Sequence, residues 1–584
     1  MGQDSHIGAA LDAQPLLAAT LCGDAPGAGF NRALHAFQAR FTYGISPIGP
    51  FLAGLDWAAH MANSPGTWFD LQREAMREAS RLLGALADPA SAPAITPSPQ
   101  DHRFTHPGWK TFPFNAMSQS FLLAENWVAR AAAVPSGVEP ENTRIVAFAA
   151  RQLVDMLSPS NLPWANPEVL QAARDTGGRN FLDGFANLLQ DLRDIVGHGN
   201  DAPPPLTVGK DLAATPGKVV LRTELMELIQ YAPTTDLVRP QPVLIVPAWI
   251  MKYYILDLSP HNSLIKYLVG QGFTVFAISW RNPGRELSDV SLDGYRTQGV
   301  KAAMDVVERL CGAAKIHGCG YCLGGTLLAI AAAAMARDKD ARLASLTLLA
   351  AQTDFTEAGE LQLFINEDQI SFLSDLMCVR GYLESGQMAG AFQMLRSNDL
   401  VWSRAVRRYM LGEQEFANDL MVWNADGTRM PARMHAEYLQ QLFHDNDLAE
   451  GRFMAGGGPV ALGNISAPLF AVGTEADHIA PWQSVYKIGL LNDGDLTFVL
   501  TSGGHNAGIV SEPGHAHRHF RIAHRPHGGH HNGPAEWKAA TPTQEGSWWP
   551  AWTAWLAALS GPPGARPAMG PALAEAPGTY VFER

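Results

Sequence analysis

The pattern of hydrophobic and polar positions divides the chain into two parts. Up to about residue 205, apolar residues recur at helical spacing, as in FNRALHAFQARF and TWFDLQREAMREASRLLGAL. Turn sequences and the Pro/Ala/Ser-rich stretch ADPASAPAITPSPQD separate these segments. The pattern therefore predicts a mainly helical N-terminal domain over residues 1–205.

Residues 206–584 show a different pattern, in which short apolar runs alternate with helical segments. The runs PVLIVPAW, TVFAISW, KIHGCGY and LASLTLLAAQTDF are typical of strands. Strands that alternate with helices indicate a mostly parallel sheet within one catalytic domain. The alternation stops from about residue 358 to 455, where the sequence is mostly helical and amphipathic. An insertion at this place favours a lid over the active site, with a peripheral packing subdomain as the alternative.

Composition and charge narrow the class of protein. The net charge of −13 over 584 residues argues against a nucleic-acid-binding protein, because neutralising phosphates needs a basic surface. Five cysteines are too few for a disulfide framework. The N-terminal segment lacks the basic start of a signal peptide, and no apolar run is long enough to span a membrane. We therefore expect a soluble, cytoplasmic protein that is not transmembrane.

The stretch GCGYCLGGT contains two cysteines, Cys319 and Cys322, and allows two interpretations. A CxxC spacing can be a redox pair. Gly320 and Gly324 instead flank Cys322 at the spacing of a nucleophile elbow, in which a strand turns sharply into a helix. The helix N-terminus would favour a thiolate and would offer the backbone N–H of Leu323 to an oxyanion. The glycines favour the elbow, with Cys319 as a core residue of the strand.

A thiol nucleophile needs a base and an acid that orients the base, and in such a fold both follow later strands. Asp477 follows the predicted strand LFAVGT, and His505 follows LTFVLTSGG. We therefore predict a catalytic triad of Cys322, Asp477 and His505. Glu475 and Asp354 are the alternative acids.

The second oxyanion donor is expected in the loop after an early strand, here VPAWIMKYYILDL. The backbone N–H of Trp249 or of Ile250 is the candidate. After the predicted base, the run GHAHRHFRIAHRPHGGHHNG carries seven histidines within residues 515–531, without the ligand spacing of a known metal site. We expect a solvated loop there, and neither a metal nor a cofactor.

Several of these motifs together resemble one known family. GYCLGG, GTEADHIAPW and SGGHNAGI are similar to the three active-site motifs of polyhydroxyalkanoate (poly-3-hydroxybutyrate) synthases of the one-subunit type. DHRFTHPGWKTFPFN and SWWPAWTAWL also match the family's pattern. The resemblance implies an α/β-hydrolase fold with a mostly parallel sheet, a helical lid and a mainly helical N-terminal domain. One departure is Trp249-Ile250-Met251, where family members often carry Cys-Ile-Asn.

The same resemblance implies a function. Members polymerise (R)-3-hydroxyacyl-CoA into a growing polyester chain at the surface of a polymer granule, with release of CoA. Cys322 would carry the acyl group, His505 would act as base, and Asp477 would orient it. A homodimer is expected, and Arg396 is a candidate contact for the CoA phosphates, with solvated surface as the alternative. The rivals are a polyester depolymerase or thioesterase of the same fold and a non-catalytic, granule-associated structural protein.

Overall fold

The structure is a computed structural model. It describes residues 26–42, 44–87, 92–98, 101–133, 135–195, 206–313, 315–388, 390, 401–414 and 417–584. The described residues form two compact units, the first within 1–44, 204–389 and 417–584, and the second within 45–203 and 390–416. The N-terminal helix at residues 26–42 therefore belongs to the unit that holds the sheet. The domain division at residue 205 stays a prediction.

Helices make up most of the regular structure outside the sheet. In chain order the α-helices are α1 (Pro26–Thr42), α2 (Ile48–Ala62), α3 (Pro65–Ala87), α4 (Phe114–Ala133), α5 (Pro140–Met156), α6 (Pro167–Asp175), α7 (Arg179–Ile195), α8 (Leu264–Gly270), α9 (Leu292–Gly294), α10 (Ala302–Cys311), α11 (Leu323–Arg337), α12 (Glu367–Arg380), α13 (Ser403–Ala405), α14 (Asp419–Ala425), α15 (Ala432–Glu437), α16 (Trp482–Tyr486), α17 (Ile488–Leu491), α18 (Pro534–Ala540) and α19 (Trp549–Ala558). Prolines open several of these helices, as Pro140 and Pro167 do, because the first turn needs no backbone N–H. Among the described helices, none has the length and apolar character to cross a membrane.

The first unit contains both long strands and strands of only two residues. In chain order they are β1 (Gly217–Arg222), β2 (Met226–Tyr231), β3 (Leu237–Val238), β4 (Val243–Val246), β5 (Val275–Trp280), β6 (Ile316–Tyr321), β7 (Leu343–Leu349), β8 (Tyr382–Leu383), β9 (Met430–Pro431), β10 (Met454–Ala455), β11 (Gly458–Pro459), β12 (Leu469–Thr474), β13 (Leu496–Thr501), β14 (His519–Arg525), β15 (Thr543–Glu545), β16 (Gly564–Ala565) and β17 (Ala574–Glu575). The long buried strands coincide with the apolar runs of the sequence.

Eleven strands form one sheet in the order β15-β14-β13-β12-β7-β6-β4-β5-β2-β1-β17. The six neighbours from β13 to β5 run parallel, and the strands at both edges pair antiparallel. The predicted α/β fold with a mostly parallel sheet is thereby confirmed. Because parallel strands end at the same edge, the loops after β4, β6, β12 and β13 converge there, where such sheets bind ligands.

A tryptophan-rich helix, α19, covers part of this sheet. Trp552 is fully buried, and its Nε1 donates to Oγ1 of Thr347 on β7 at 3.0 Å. The ring of Trp555 packs against Phe470 on β12 with centroids 5.1 Å apart. Large rings whose N–H groups find acceptors stabilise a core strongly. The helical spacing of tryptophans in SWWPAWTAWL therefore reflects packing on the core.

The expectation of a solvated loop at residues 515–531 is wrong for the middle of that segment. Residues His519–Arg525 form β14, which pairs antiparallel with β13 and β15. Phe520 is buried against the core, and most other residues of β14 are half-buried, as in a strand near the edge of a sheet. Within the part of the chain that the structure describes, no group of three or more His, Cys, Asp or Glu could hold a metal ion.

In the second unit, Arg103 joins three carboxylates. Its buried guanidinium lies 2.8 Å from Asp101, 2.9 Å from Glu125 and 3.2 Å from Asp155. Burial alone would lower the pKa of Arg103, but hydrogen bonds and attraction to Asp101 and Glu125 raise it, so the guanidinium stays charged. Burial raises the pKa of Asp155, and the charge of Arg103 offsets part of that rise.

We expect Arg103→Leu to destabilise this unit by about 3 kcal/mol, because the substitution leaves partly buried carboxylates without their cation. The midpoint of thermal unfolding should fall by about 6–12 °C for a unit of this size. Arg73→Leu is the matched control, because the ion pair of Arg73 with Asp70 is exposed on both sides and contributes less than about 1 kcal/mol. Equal midpoints for the two variants would contradict this role of Arg103.

Candidate active site

The turn at Cys322 joins strand β6 to helix α11. Because β6 ends at Tyr321 and α11 begins at Leu323, Cys322 alone makes the turn. Its φ of 53° and ψ of −128° lie in a region that residues with a side chain rarely adopt. The Cys322 N–H donates to the carbonyl oxygen of Leu349 on β7 at 2.8 Å, which holds the strained residue in place. This conformation is that of a nucleophile elbow.

Three glycines make this sharp turn possible, because a side chain at any of them would collide with its neighbours. A Cβ added to Gly320 would lie 2.3 Å from Cα of Gly325, and one added to Gly324 would lie 2.2 Å from the carbonyl oxygen of Val246. A Cβ added to Gly325 would lie 2.4 Å from Cβ of Ala351. The start of α11 is therefore packed directly against the ends of β4 and β6.

The loops after β12 and β13 bring an acid and a histidine together. Nδ1 of His505 lies 2.8 Å from Oδ2 of Asp477, and both side chains are buried. The carboxylate also accepts hydrogen bonds from Oγ1 of Thr474 and from the backbone N–H groups of Ile479 and Ala480, each at 2.9 Å. Since an ionised carboxylate can only accept, Nδ1 of His505 carries the proton in this bond.

Each member of this pair stabilises the charged form of the other. Burial alone would raise the pKa of Asp477, but the charge of His505 and the hydrogen bonds to the carboxylate hold that pKa below its ordinary value of 3.8. Burial alone would lower the pKa of His505, but attraction to Asp477, and then to Cys322, raises it well above 6.5. The imidazole is thus fixed by its Nδ1 side and can exchange a proton through Nε2.

The three residues predicted for the triad therefore lie in one buried cluster. Cys322 is 9% exposed and His505 is 7% exposed. The proximity of Cys322 contributes, after Asp477, to the raised pKa of His505 and so favours the imidazolium. Such an arrangement can transfer a proton from a thiol to an imidazole. The catalytic role of each residue stays a proposal.

The two alternative acids have other partners. Glu475 lies 3.1 Å from Nε2 of His519, and Asp354 lies 3.7 Å from Nζ of Lys487. Among the described residues, neither carboxylate forms a hydrogen bond or an ion pair with His505. The geometry therefore favours Asp477 as the acid.

Cys319 lies inside β6, apart from the turn. It is opposite Ile245 of β4 and Thr347 of β7, and it is fully buried. Burial raises the pKa of its thiol, so a thiolate is disfavoured at this position. Cys319 and Cys322 are both free thiols in the structure. These observations favour a core residue over one half of a redox pair.

The predicted oxyanion donors lie beside the elbow. Leu323 is the first residue of α11, where a backbone N–H has no acceptor within the helix. The backbone N–H groups of Leu323, Trp249 and Ile250 donate no hydrogen bond within the described ranges. The loop that carries Trp249 and Ile250 is held by Thr428, whose N–H donates to the carbonyl oxygen of Ile250 at 3.1 Å. These N–H groups can therefore serve a substrate.

Sequence patterns did not predict an aromatic cluster that lies beside this loop. Trp249 is fully buried, and its ring contacts Tyr295 and Tyr438 with centroids 5.8 and 5.9 Å away. Burial, and then the charge of Cys322, raises the pKa of Tyr438 well above 10, so this phenol lies near the nucleophile. The sequence signal at Tyr438 is the helical spacing of apolar residues in the insertion. That spacing predicts a helix but does not show that Tyr438 contacts Trp249.

The predicted CoA contact, Arg396, lies outside the described residues. Among the arginines that follow it, Arg408 makes two hydrogen bonds to the carboxylate of Asp191, at 2.6 and 2.7 Å, within the second unit. That paired geometry is typical of a structural ion pair.

A strained nucleophile turn after a central parallel strand, with an acid and a histidine after later strands, defines the α/β-hydrolase class. A family model described as "alpha/beta hydrolase fold" matches residues 241–512. A model described as "Poly-beta-hydroxybutyrate polymerase (PhaC) N-terminus" matches residues 100–268, and one described as "Poly-beta-hydroxybutyrate polymerase N terminal" matches residues 27–67.

Individual relatives agree with these models over most of their length. A poly(3-hydroxyalkanoate) polymerase of Methylorubrum extorquens is 42% identical over 512 residues, which cover 86% of this chain and 83% of the relative. Poly(3-hydroxyalkanoate) polymerase subunits PhaC are similar in Rhizobium meliloti, at 35% identity over 89% of this chain and 84% of theirs, and in Cupriavidus necator, at 34% identity over 91% of both. The chain belongs to the family of poly(3-hydroxyalkanoate) polymerases.

We expect Gly324→Ala to disrupt the elbow, because the new Cβ would fall 2.2 Å from the carbonyl oxygen of Val246 and 2.4 Å from that of Pro247. Such overpacking costs about 1–3 kcal/mol, so the midpoint of thermal unfolding should fall and the alkylation of Cys322 by iodoacetamide should slow. Gly270→Ala is the matched control, since a Cβ there meets nothing within 4 Å. If both variants match the unmodified protein, the steric argument is wrong.

We expect the pair of Asp477 and His505 to stabilise the fold most in mildly acidic solution. The contribution of Asp477, whose pKa is lowered, is present above pH 3.8 and is lost as the pH falls through the lowered value. That of His505, whose pKa is raised, is complete below pH 6.5 and is lost as the pH rises through the raised value. The difference in thermal midpoint between the unmodified protein and Asp477→Asn should therefore be largest between these two pH values. A difference that does not change with pH would contradict the coupling.

Proposed function

We propose that the chain is an acyltransferase that polymerises (R)-3-hydroxyacyl-CoA into polyhydroxyalkanoate polyester and releases CoA. Membership of the poly(3-hydroxyalkanoate) polymerase family supports the synthesis of this polyester. The mechanism is carried by one observation, the strained turn that presents Cys322 to the buried pair of His505 and Asp477. A thiol nucleophile suits a substrate that is itself a thioester.

In the first half of the reaction, the acyl group moves from CoA to the enzyme. Nε2 of His505 takes the proton of the Cys322 thiol, and the thiolate attacks the carbonyl carbon of the substrate thioester. The bond from that carbon to the CoA sulfur breaks, and the leaving thiolate takes the proton from His505. One thioester replaces another, so the exchange is nearly balanced. Asp477 stabilises the imidazolium between the two proton transfers.

In the second half, a hydroxyl group of the growing chain accepts the acyl group. His505 takes the proton of that hydroxyl, the oxygen attacks the acyl carbon, and the bond to the Cys322 sulfur breaks. The sulfur recovers its proton from His505. An oxygen ester replaces a thioester, and this step drives the polymerisation. A homodimer would allow two active sites to share one chain.

Both halves pass through a tetrahedral intermediate with a negatively charged oxygen. The backbone N–H of Leu323, together with that of Trp249 or Ile250, would donate to this oxyanion. Each such donor contributes about 10²–10³-fold to the rate of an acyl transfer. The absence of other acceptors for these three groups in the described chain supports the assignment.

Exclusion of water separates a polymerase from a thioesterase or depolymerase of the same fold. The burial of Cys322 and His505 supports protection of an acyl-cysteine from hydrolysis. We infer that the insertion at about 358–455 closes over the site as a lid and that Arg396 contacts the CoA phosphates. The enzyme would act in the cytoplasm, at the surface of the polymer granule.

Incubation of the purified protein with (R)-3-hydroxybutyryl-CoA tests this function. We expect an insoluble polymer to form while CoA is released, as measured with a thiol reagent. Cys322→Ala should lower the rate by roughly 10⁴-fold or more, because the covalent step is lost. Cys319→Ala is the matched cysteine control and should keep most of the activity, since its thiol lies within β6.

Three other outcomes would each contradict part of the proposal. Free hydroxy acid without polymer would indicate a thioesterase or depolymerase. CoA release that continues unchanged in Cys322→Ala would exclude this residue as the nucleophile. Equal losses in Cys319→Ala and Cys322→Ala would favour the redox pair.

A further inference from the structure

The loop that carries His505 is held on its C-terminal side by Nε1 of Trp548, which donates to the carbonyl oxygen of Gly508 at 3.1 Å, and by Nε1 of Trp549, which donates to that of Ile509 at 3.0 Å. Neither bond involves the imidazole or strand β6. Gly503 and Gly504 precede the histidine, and Gly503 has a φ of 100°, which only glycine adopts easily. The N–H of Gly508 donates to the carbonyl oxygen of Gly504 at 2.8 Å, which closes the turn but does not connect it to β6. The bond from Nδ1 to Asp477 fixes one point of the imidazole ring. The distance from Nε2 to the nucleophile therefore depends on further contacts.

Tyr321 provides two such contacts. It is the last residue of β6, it directly precedes Cys322, and it is fully buried. Its ring packs against the imidazole of His505 with centroids 5.6 Å apart. Its hydroxyl donates to Oδ1 of Asn506 at 2.5 Å, and Asn506 directly follows His505. One side chain thus connects the residue before the nucleophile to the residue after the base.

In the structure the phenol of Tyr321 is the donor of this hydrogen bond. Burial, and then the charges of Cys322 and Asp477, raises the pKa of Tyr321 well above 10, so the phenol stays protonated. The other end of the Asn506 carboxamide donates from Nδ2 to Oδ1 of Asn424 at 3.3 Å. The two ends of the Asn506 carboxamide thus have opposite roles in the structure, since Oδ1 accepts from Tyr321 and Nδ2 donates to Asn424.

We propose that Tyr321 and Asn506 are positioning residues whose hydrogen bond holds Nε2 of His505 in line with the sulfur of Cys322. Asp477 holds the imidazole from one side, while Tyr321 holds one face of the ring and the main chain that carries it. Without the phenol hydroxyl, the ring can rotate about its bond to Asp477, and the distance from Nε2 to the sulfur lengthens. A misplacement of about 1 Å can slow a reaction about 10²-fold.

The variants Tyr321→Phe and Asn506→Ala test this inference. Tyr321→Phe keeps the ring packing and removes only the hydroxyl, so it should change alignment more than stability. We expect kcat for (R)-3-hydroxybutyryl-CoA to fall about 10–100-fold while KM changes by less than about twofold. Asn506→Ala should cause a similar loss, and the double variant should lose no more than either single variant, because both remove the same bond.

A second measurement needs no substrate. Alkylation of Cys322 by iodoacetamide, followed across pH on the peptide that contains it, reports how well His505 stabilises the thiolate. We expect the midpoint of this pH profile to rise by about one unit in Tyr321→Phe, which corresponds to a tenfold weaker stabilisation. Tyr486→Phe is the matched control. It removes a phenol hydrogen bond of 3.1 Å to the carbonyl oxygen of Asn532, from a buried tyrosine of the same unit, and should leave the profile unchanged.

The two measurements separate this inference from the proposed function on which its kinetic part rests. An unchanged alkylation profile in Tyr321→Phe would overturn the positioning role, even if the variant melts at a lower temperature. A shifted profile in a protein that forms no polymer would support the positioning role and overturn the proposed function instead.

Discussion

The close approach of α11 to the ends of β4 and β6 is the constraint on which the rest of the site depends. Gly320 and Gly324 carry no Cβ, and there is no room for one at either position. The absence of these side chains lets the chain turn within a single residue. Cys322 then takes a positive φ, and the hydrogen bond of its N–H to Leu349 holds it there. The sulfur is thereby presented at the edge of the sheet where the loops after β12 and β13 end.

Burial at this edge makes the charged groups interdependent. A carboxylate or an imidazolium would be costly to bury alone, but Asp477 and His505 lower that cost for each other. The parallel register that places Thr474 of β12 opposite Thr501 of β13 sets the two loops at the same level. Tyr321 contacts the imidazole from the side of β6, so residues of three strands and the loops after them surround His505.

Local patterns in the sequence predict the sheet and the elbow because both leave local signals. Apolar runs that alternate with helical segments predict the parallel strands. The spacing of the glycines indicates that Cys322, and not Cys319, lies at the turn. Contacts between distant segments leave no such signal, since they depend on strand register. The bond from Tyr321 to Asn506 is one example. Strand β14 was missed for another reason, because its histidines and arginines make the segment polar and Phe520 is its one buried residue.

In the mechanism we propose, an acyl group on Cys322 would have to be kept from water until a chain hydroxyl accepts it. The described site meets this need by burial, with exposures of 9% for Cys322, 6% for Tyr438 and 1% for Trp249. The same burial lowers the local dielectric constant, which strengthens the attraction between Asp477 and His505. That attraction outweighs the cost of burying the imidazolium and keeps the pKa of His505 raised. Protection of the intermediate and control of the proton therefore have one physical cause. A substitution that opened the aromatic cluster to water would weaken both at once.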